Sequence, residues 1–70
     1  MNIKAINKKL KEHGYPFELS KGSGYFYFVF DDGVRFETYS VYTNSVSNLP
    51  LESWLYEANE FSVLLSSFHT

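Results

Sequence analysis

Few side chains in this 70-residue chain have the types and spacing for chemistry, and those that do point to binding rather than bond-breaking. General acid–base catalysis needs an imidazole within hydrogen-bond reach of a nucleophile. His13 closes a helical segment and His69 is penultimate, so neither stands beside a candidate nucleophile. Asp31 and Asp32 precede Gly33 and read as turn formers before they read as a catalytic pair. With no Cys, disulfides and thiolate metal sites are excluded, and no phosphate loop, zinc spacing or dinucleotide fingerprint is present. The expectation is a non-enzymatic protein without metal or cofactor. Two binding features remain. Lys4, Lys8 and Lys11 share one flank of a helix, with Lys21 further along, and are candidate phosphate contacts. Tyr25, Tyr27, Tyr39 and Arg35 alternate along strand-like segments and are candidate partner-binding residues, since Tyr and Arg anchor interfaces.

These residues must be held by a small set of elements. Ile3, Ile6 and Leu10, with Asn7 beside them, recur at helical spacing, which predicts a helix over 2–13 stopped by Gly14. Tyr15-Pro16 imposes extended backbone. Phe17-Glu18-Leu19-Ser20 alternates with period two, Lys21-Gly22-Ser23-Gly24 is a turn, and Tyr25 to Phe30 is an aromatic strand. A third strand runs from Val34 to about Tyr42. Thr43 to Asn48 is polar, and its conformation is left open. Pro50 near a first helical position predicts a second helix, with Leu51, Trp54, Leu55, Ala58, Phe61, Leu65 and Phe68 on one arc. The expected fold is α+β, a single domain over 1–70 in the order α-β-β-β-α, with both helices on one face of a three-stranded antiparallel sheet.

Register decides which rings face the helices, because a one-residue slip turns every side chain over. At the first turn, Ser20 opposite Tyr25 gathers Phe17, Leu19, Phe26 and Phe28 on one side. At the second, a two-residue Asp32-Gly33 loop would set Phe28 against Glu37 and Phe30 against Arg35. A three-residue Asp31-Asp32-Gly33 loop sets Phe28 against Phe36 and Phe30 against Val34, and is preferred. That choice puts Val34 and Phe36 in the core. Glu18, Ser20, Tyr25, Tyr27, Val29, Arg35, Glu37 and Tyr39 then form the open face, with Tyr25 opposite Tyr39.

Seven Phe, six Tyr and one Trp supply the core of a chain that buries only about 60% of its surface on folding. The net charge of −2 is unevenly spread, with five Lys and two Glu in residues 1–21 against one Arg, two Asp and four Glu in residues 22–70. No apolar run is long enough for a membrane span, and the absence of Cys suits a reducing compartment, so the cytoplasm is the expected location.

The arrangement helix, three strands, helix resembles double-stranded-RNA-binding domains and the HicA-type toxins that cleave messenger RNA. Lys21-Gly22-Ser23 is similar to the turn before the toxins' catalytic histidine, but Gly24 stands in its place, which implies a relative without the general base. Leu49-Pro50-Leu51-Glu52 replaces the lysine cluster that opens the second helix of the RNA-binding domains. A closer resemblance is to small proteins of phages, prophages and mobile elements with a Gly-Tyr-Phe-Tyr-Phe strand, a Ser-Val-Tyr segment and a Leu-x-x-Leu-x-x-Glu-x-Trp-like helix start. The corresponding residues are Gly24 to Phe28, Ser40 to Tyr42 and Leu49 to Trp54. That resemblance identifies no activity; taken with the tyrosine face and the basic helix, it leads to the expectation of an accessory protein that binds a macromolecule, with protein favoured over nucleic acid, as an inhibitor or modulator of a host process. A monomer, or a homodimer through the edge strand or the tyrosine face, is left open.

Overall fold

The computed structural model describes residues 2–67, so Phe68 and His69 lie outside the described residues. Helix α1 spans Ile3–Glu12. Asn2 caps it, its Oδ1 accepting the Ala5 amide at 2.9 Å, which supplies one of the donors a helix start leaves unpaired. At the other end Gly14 has a φ of 79°. Its amide donates to the Lys11 carbonyl and that of Tyr15 to the Leu10 carbonyl, both at 3.0 Å, the paired bonds of a left-handed helix stop.

Three strands follow, β1 (Glu18–Lys21), β2 (Phe26–Asp31) and β3 (Phe36–Val41), antiparallel in the order β1-β2-β3. A 3-10 turn at Val46–Asn48 leads into α2 (Leu51–Ser67). The architecture is α+β with an open three-stranded sheet, in the order expected. Both helices cover one sheet face, because Ile6 and Leu10 of α1 and Trp54, Ala58, Phe61 and Leu65 of α2 share a core with Leu19, Phe26 and Phe28. Trp54 stands edge-on to Phe26 and Phe28, and its Nε1 donates to the Val46 carbonyl at 3.0 Å. That bond gives the buried indole its partner and anchors the connection that composition left undecided. No helix of the described residues is long and apolar enough to cross a membrane.

The first hairpin keeps its expected faces but slips by two residues, with Leu19 opposite Phe28 and Ser20 opposite Tyr27 rather than Tyr25. The second hairpin corrects the sequence reading. Asp31 faces Phe36, Phe30 faces Glu37 and Phe28 faces Tyr39, so β3 is turned over relative to the three-residue loop. The cause is local. Asp32 Oδ1 accepts the amides of Val34 (2.9 Å) and Arg35 (2.7 Å), and the Asp32 amide donates to the Arg35 carbonyl (3.3 Å). Gly33 and Val34 are therefore the loop, with positive φ at Gly33 (87°) and none at Val34, the sign pattern of a type II′ turn. Val34 and Phe36 leave the core and are 97% and 63% exposed; Glu37, Tyr39 and Val41 take the helix side.

On the β1 edge, Asn7 of α1 does what another strand would do. Its Oδ1 accepts the Leu19 amide at 2.6 Å and its Nδ2 donates to the Leu19 carbonyl at 3.2 Å. Replacing Asn7 by Ala leaves a part-buried amide and carbonyl unpaired, and should cost about 1–3 kcal/mol in urea unfolding. Lys8→Ala, on the exposed neighbour, should move the midpoint little.

Candidate functional site

The uncovered face of the sheet carries Glu18 and Ser20 from β1, Tyr27, Val29 and Asp31 from β2, and Phe36, Thr38 and Ser40 from β3, since alternate residues share a face. Tyr25 and Tyr42 continue the same parity beyond the strands. Tyr25 sits at the centre of an aromatic cluster, with ring centres 5.8 Å from Tyr27 and 6.0 Å from Tyr42. It lies across the backbone of Gly22, where an added Cβ would come within 2.6 Å of the ring. Gly22 is thus the seat of that ring, and the Gly22 amide closes the turn on the Tyr25 carbonyl at 2.8 Å. Tyr42 is 85% exposed and Phe36 and Val34 lie at the opposite end of β3, so aromatic and aliphatic surface runs along the strand on the side that neither helix covers.

Three of the residues expected on this face leave it: Glu37 and two of the expected partner-binding residues, Tyr39 and Arg35. Tyr39, expected outward, packs between Phe28 and Phe61 with ring centres at 6.3 and 5.7 Å, and its hydroxyl donates to Glu57 Oε2 of α2 at 2.8 Å. Burial, reinforced by the Glu57 carboxylate, pushes its phenol up to about 12. Arg35, also expected outward, sits on the helix side. Its Nη1 donates to the Leu65 carbonyl at 3.2 Å near the end of α2, where a cation complements the helix dipole, and its guanidinium lies 5.7 Å from the centre of the Phe30 ring. Both residues fasten α2 to β3. Phe36 and Tyr42 take their places on the open face; for Phe36 the signal is the Asp-Gly step, which is also compatible with a Gly33-Val34 loop.

Lys4, Lys8 and Lys11 are exposed and line an open groove of about 970 Å³ together with Asn7, Tyr15, Phe17, Glu18, Ser20, Val29 and Asp31. This groove runs from the outer flank of α1 across the β1 edge onto the open face, so the lysine and tyrosine features adjoin. Glu18 and Asp31 stand in the same lining. Lys21 lies in a smaller groove of about 490 Å³ with Lys4, Phe26 and the Asn44–Ser47 segment. Lys9 is engaged with Glu12 at 3.3 Å. His13 stacks on Tyr15 at 6.2 Å, which gives it a packing role. Asp32 is held below the usual carboxylate range by the amides of Arg35 and Val34, as its turn-forming role requires. Among the described residues no three His, Asp or Glu side chains converge as a metal cluster.

Compared with protein-family models, curated proteins and solved structures, the chain matches none.

The phenol of Tyr39 supplies a direct test of the corrected register. A folded-state value raised to about 12 from an ordinary 10.0 means that the contribution to stability is full below pH 10 and is lost as pH rises through 12. Ultraviolet titration should show late-ionising phenol absorbance, shared with Tyr56, which the Glu60 carboxylate also raises. Tyr39→Phe should remove part of that late phase, and a late phase left whole by the substitution would refute the buried position of Tyr39.

Proposed function

We propose that this protein is a non-enzymatic binding module that docks a protein partner on the open sheet face, as an accessory protein of the phage or mobile-element type modulating a host process in the cytoplasm. The observation that carries this reading is the Tyr25–Tyr27–Tyr42 cluster on a face that neither helix covers. Tyrosines of this kind present a rigid apolar body and a polar tip, the composition of interface hot spots. The adjoining lysine flank favours a partner with an apolar centre and an acidic border. Lys4, Lys8 and Lys11 then steer association, a role that changes on-rate more than affinity.

The nucleic-acid reading uses the same lysines. Glu18 and Asp31 share their groove, which opposes a phosphate backbone passing along it, and Arg35 is held away from the lysines at the end of α2. The protein partner is therefore the better reading.

Affinity capture from the native host, with the partner identified by mass spectrometry, should recover a protein with the wild-type chain. Tyr25→Ser, Tyr27→Ser and Tyr42→Ser together should abolish its capture while the circular dichroism spectrum is unchanged. Retained capture by the triple variant would refute the docking face. Binding that falls steeply with salt and is carried by co-purifying nucleic acid would favour phosphate contacts instead.

A further inference from the structure

The two edges of the sheet are treated differently. Unpaired edge strands template pairing with other chains, and native proteins blunt them with covering groups, lysines, prolines or bulges. The β1 edge is blunted by the Asn7 side chain at Leu19. Among the described residues the β3 edge has no covering group, Lys, Pro or bulge, and the inward-pointing charge of Glu37 is its one guard. The segment Phe36-Glu37-Thr38-Tyr39-Ser40-Val41 holds no Pro and no Lys, and its pairing to β2 runs without a break.

The ladder also tells which groups of β3 point outward. Asp32 and Arg35 are a hydrogen-bonded pair, and bonded and non-bonded pairs alternate in an antiparallel ladder. Glu37, Tyr39 and Val41 therefore bond to β2, and the amides and carbonyls of Phe36, Thr38 and Ser40 face away from it. No backbone partner for these three occurs among the described residues.

We propose that a second copy of this chain pairs with β3 across a two-fold axis at Thr38, joining two sheets into one six-stranded sheet. This is the one antiparallel register in which the three outward residues meet only each other inside β3: Phe36 of each copy opposite Ser40 of the other, and Thr38 opposite Thr38. Each facing pair exchanges two main-chain hydrogen bonds. On the helix side Glu37 falls opposite Tyr39. An axis one residue earlier would set Glu37 against Glu37, a destabilising like-charge pair. An axis one residue later would need Tyr42 to extend the strand, whereas the Thr43 amide turns back onto the Val41 carbonyl at 3.0 Å. The proposal stands on the edge and is independent of the occupant of the tyrosine face.

Sedimentation equilibrium of the wild-type chain should give twice the chain mass on concentration. Thr38→Pro, which removes an outward amide and no bond to β2, should give the single-chain mass with an unchanged circular dichroism spectrum, and Tyr27→Ser should remain dimeric. The chain has no Cys, so single cysteines report geometry. Facing Cα atoms in a bonded pair stand about 5.5 Å apart, inside the disulfide range, and Thr38→Cys should be captured as a disulfide-linked dimer under mild oxidation. Lys4→Cys, on the exposed flank of α1, should not. A wild-type chain that stays at the single-chain mass at every concentration, or equal oxidation of the two cysteine variants, would overturn the proposal. So would a dimer abolished by Tyr27→Ser and retained by Thr38→Pro.

Discussion

Asp32 holds two consecutive amides with one carboxylate oxygen, and the rest of the sheet depends on that clamp. With the amides of Val34 and Arg35 taken, and Gly33 in a backbone region that other residues rarely enter, the chain reverses over Gly33 and Val34. The reversal sets the parity of β3. Parity in turn decides that Tyr39 is packed beneath α2 while Phe36 faces water, and that Arg35 meets the end of α2 rather than the tyrosine cluster. A carboxylate at an exposed turn thus governs a core position and a surface one at the same time.

The helices are fastened to opposite margins of the sheet by polar groups working at the edge of an apolar core. Asn7 ties α1 to β1 through the Leu19 amide and carbonyl. Tyr39 and Arg35 tie α2 to β3 through Glu57 and the Leu65 carbonyl. Between these fastenings the core is filled by few, large side chains, with Phe17, Phe28 and Phe61 in mutual ring contact and Trp54 edge-on to Phe28. Ring packing supplies area, and the hydrogen bonds supply direction, because dispersion and hydrophobic burial alone are indifferent to the sliding of a helix along a sheet. In a chain this short, both are needed to select one arrangement.

Element order, helix placement and the inward Phe17, Leu19, Phe26, Phe28 and Trp54 were legible in the sequence, since periods of 3.6 and 2 survive in the positions of large apolar residues. The third strand was not. Val34 and Phe36 are more hydrophobic than the Glu37 and Tyr39 that displaced them, so a pattern argument favoured burying them. The competing term, an aspartate bonding to amides two and three residues ahead, is a geometric property that composition does not record. The tyrosine face was legible in part: Tyr25 and Tyr27 follow from β2 alone, while Tyr39 and Tyr42 exchange roles with the turn. The Asn7 clamp joins residues twelve apart on different elements, and neither neighbourhood signals it.

Every contact between β1, β2 and β3 joins consecutive elements, which keeps loop-closure costs low and favours rapid assembly. The exception is α2, the last of the elements to be synthesised. Until Trp54 and Phe61 arrive, the phenyl rings of β2 have only α1 to shelter them. A sheet without α2 would present the rings of Phe26 and Phe28 on one side, so the second helix is what separates a closed core from an adhesive surface.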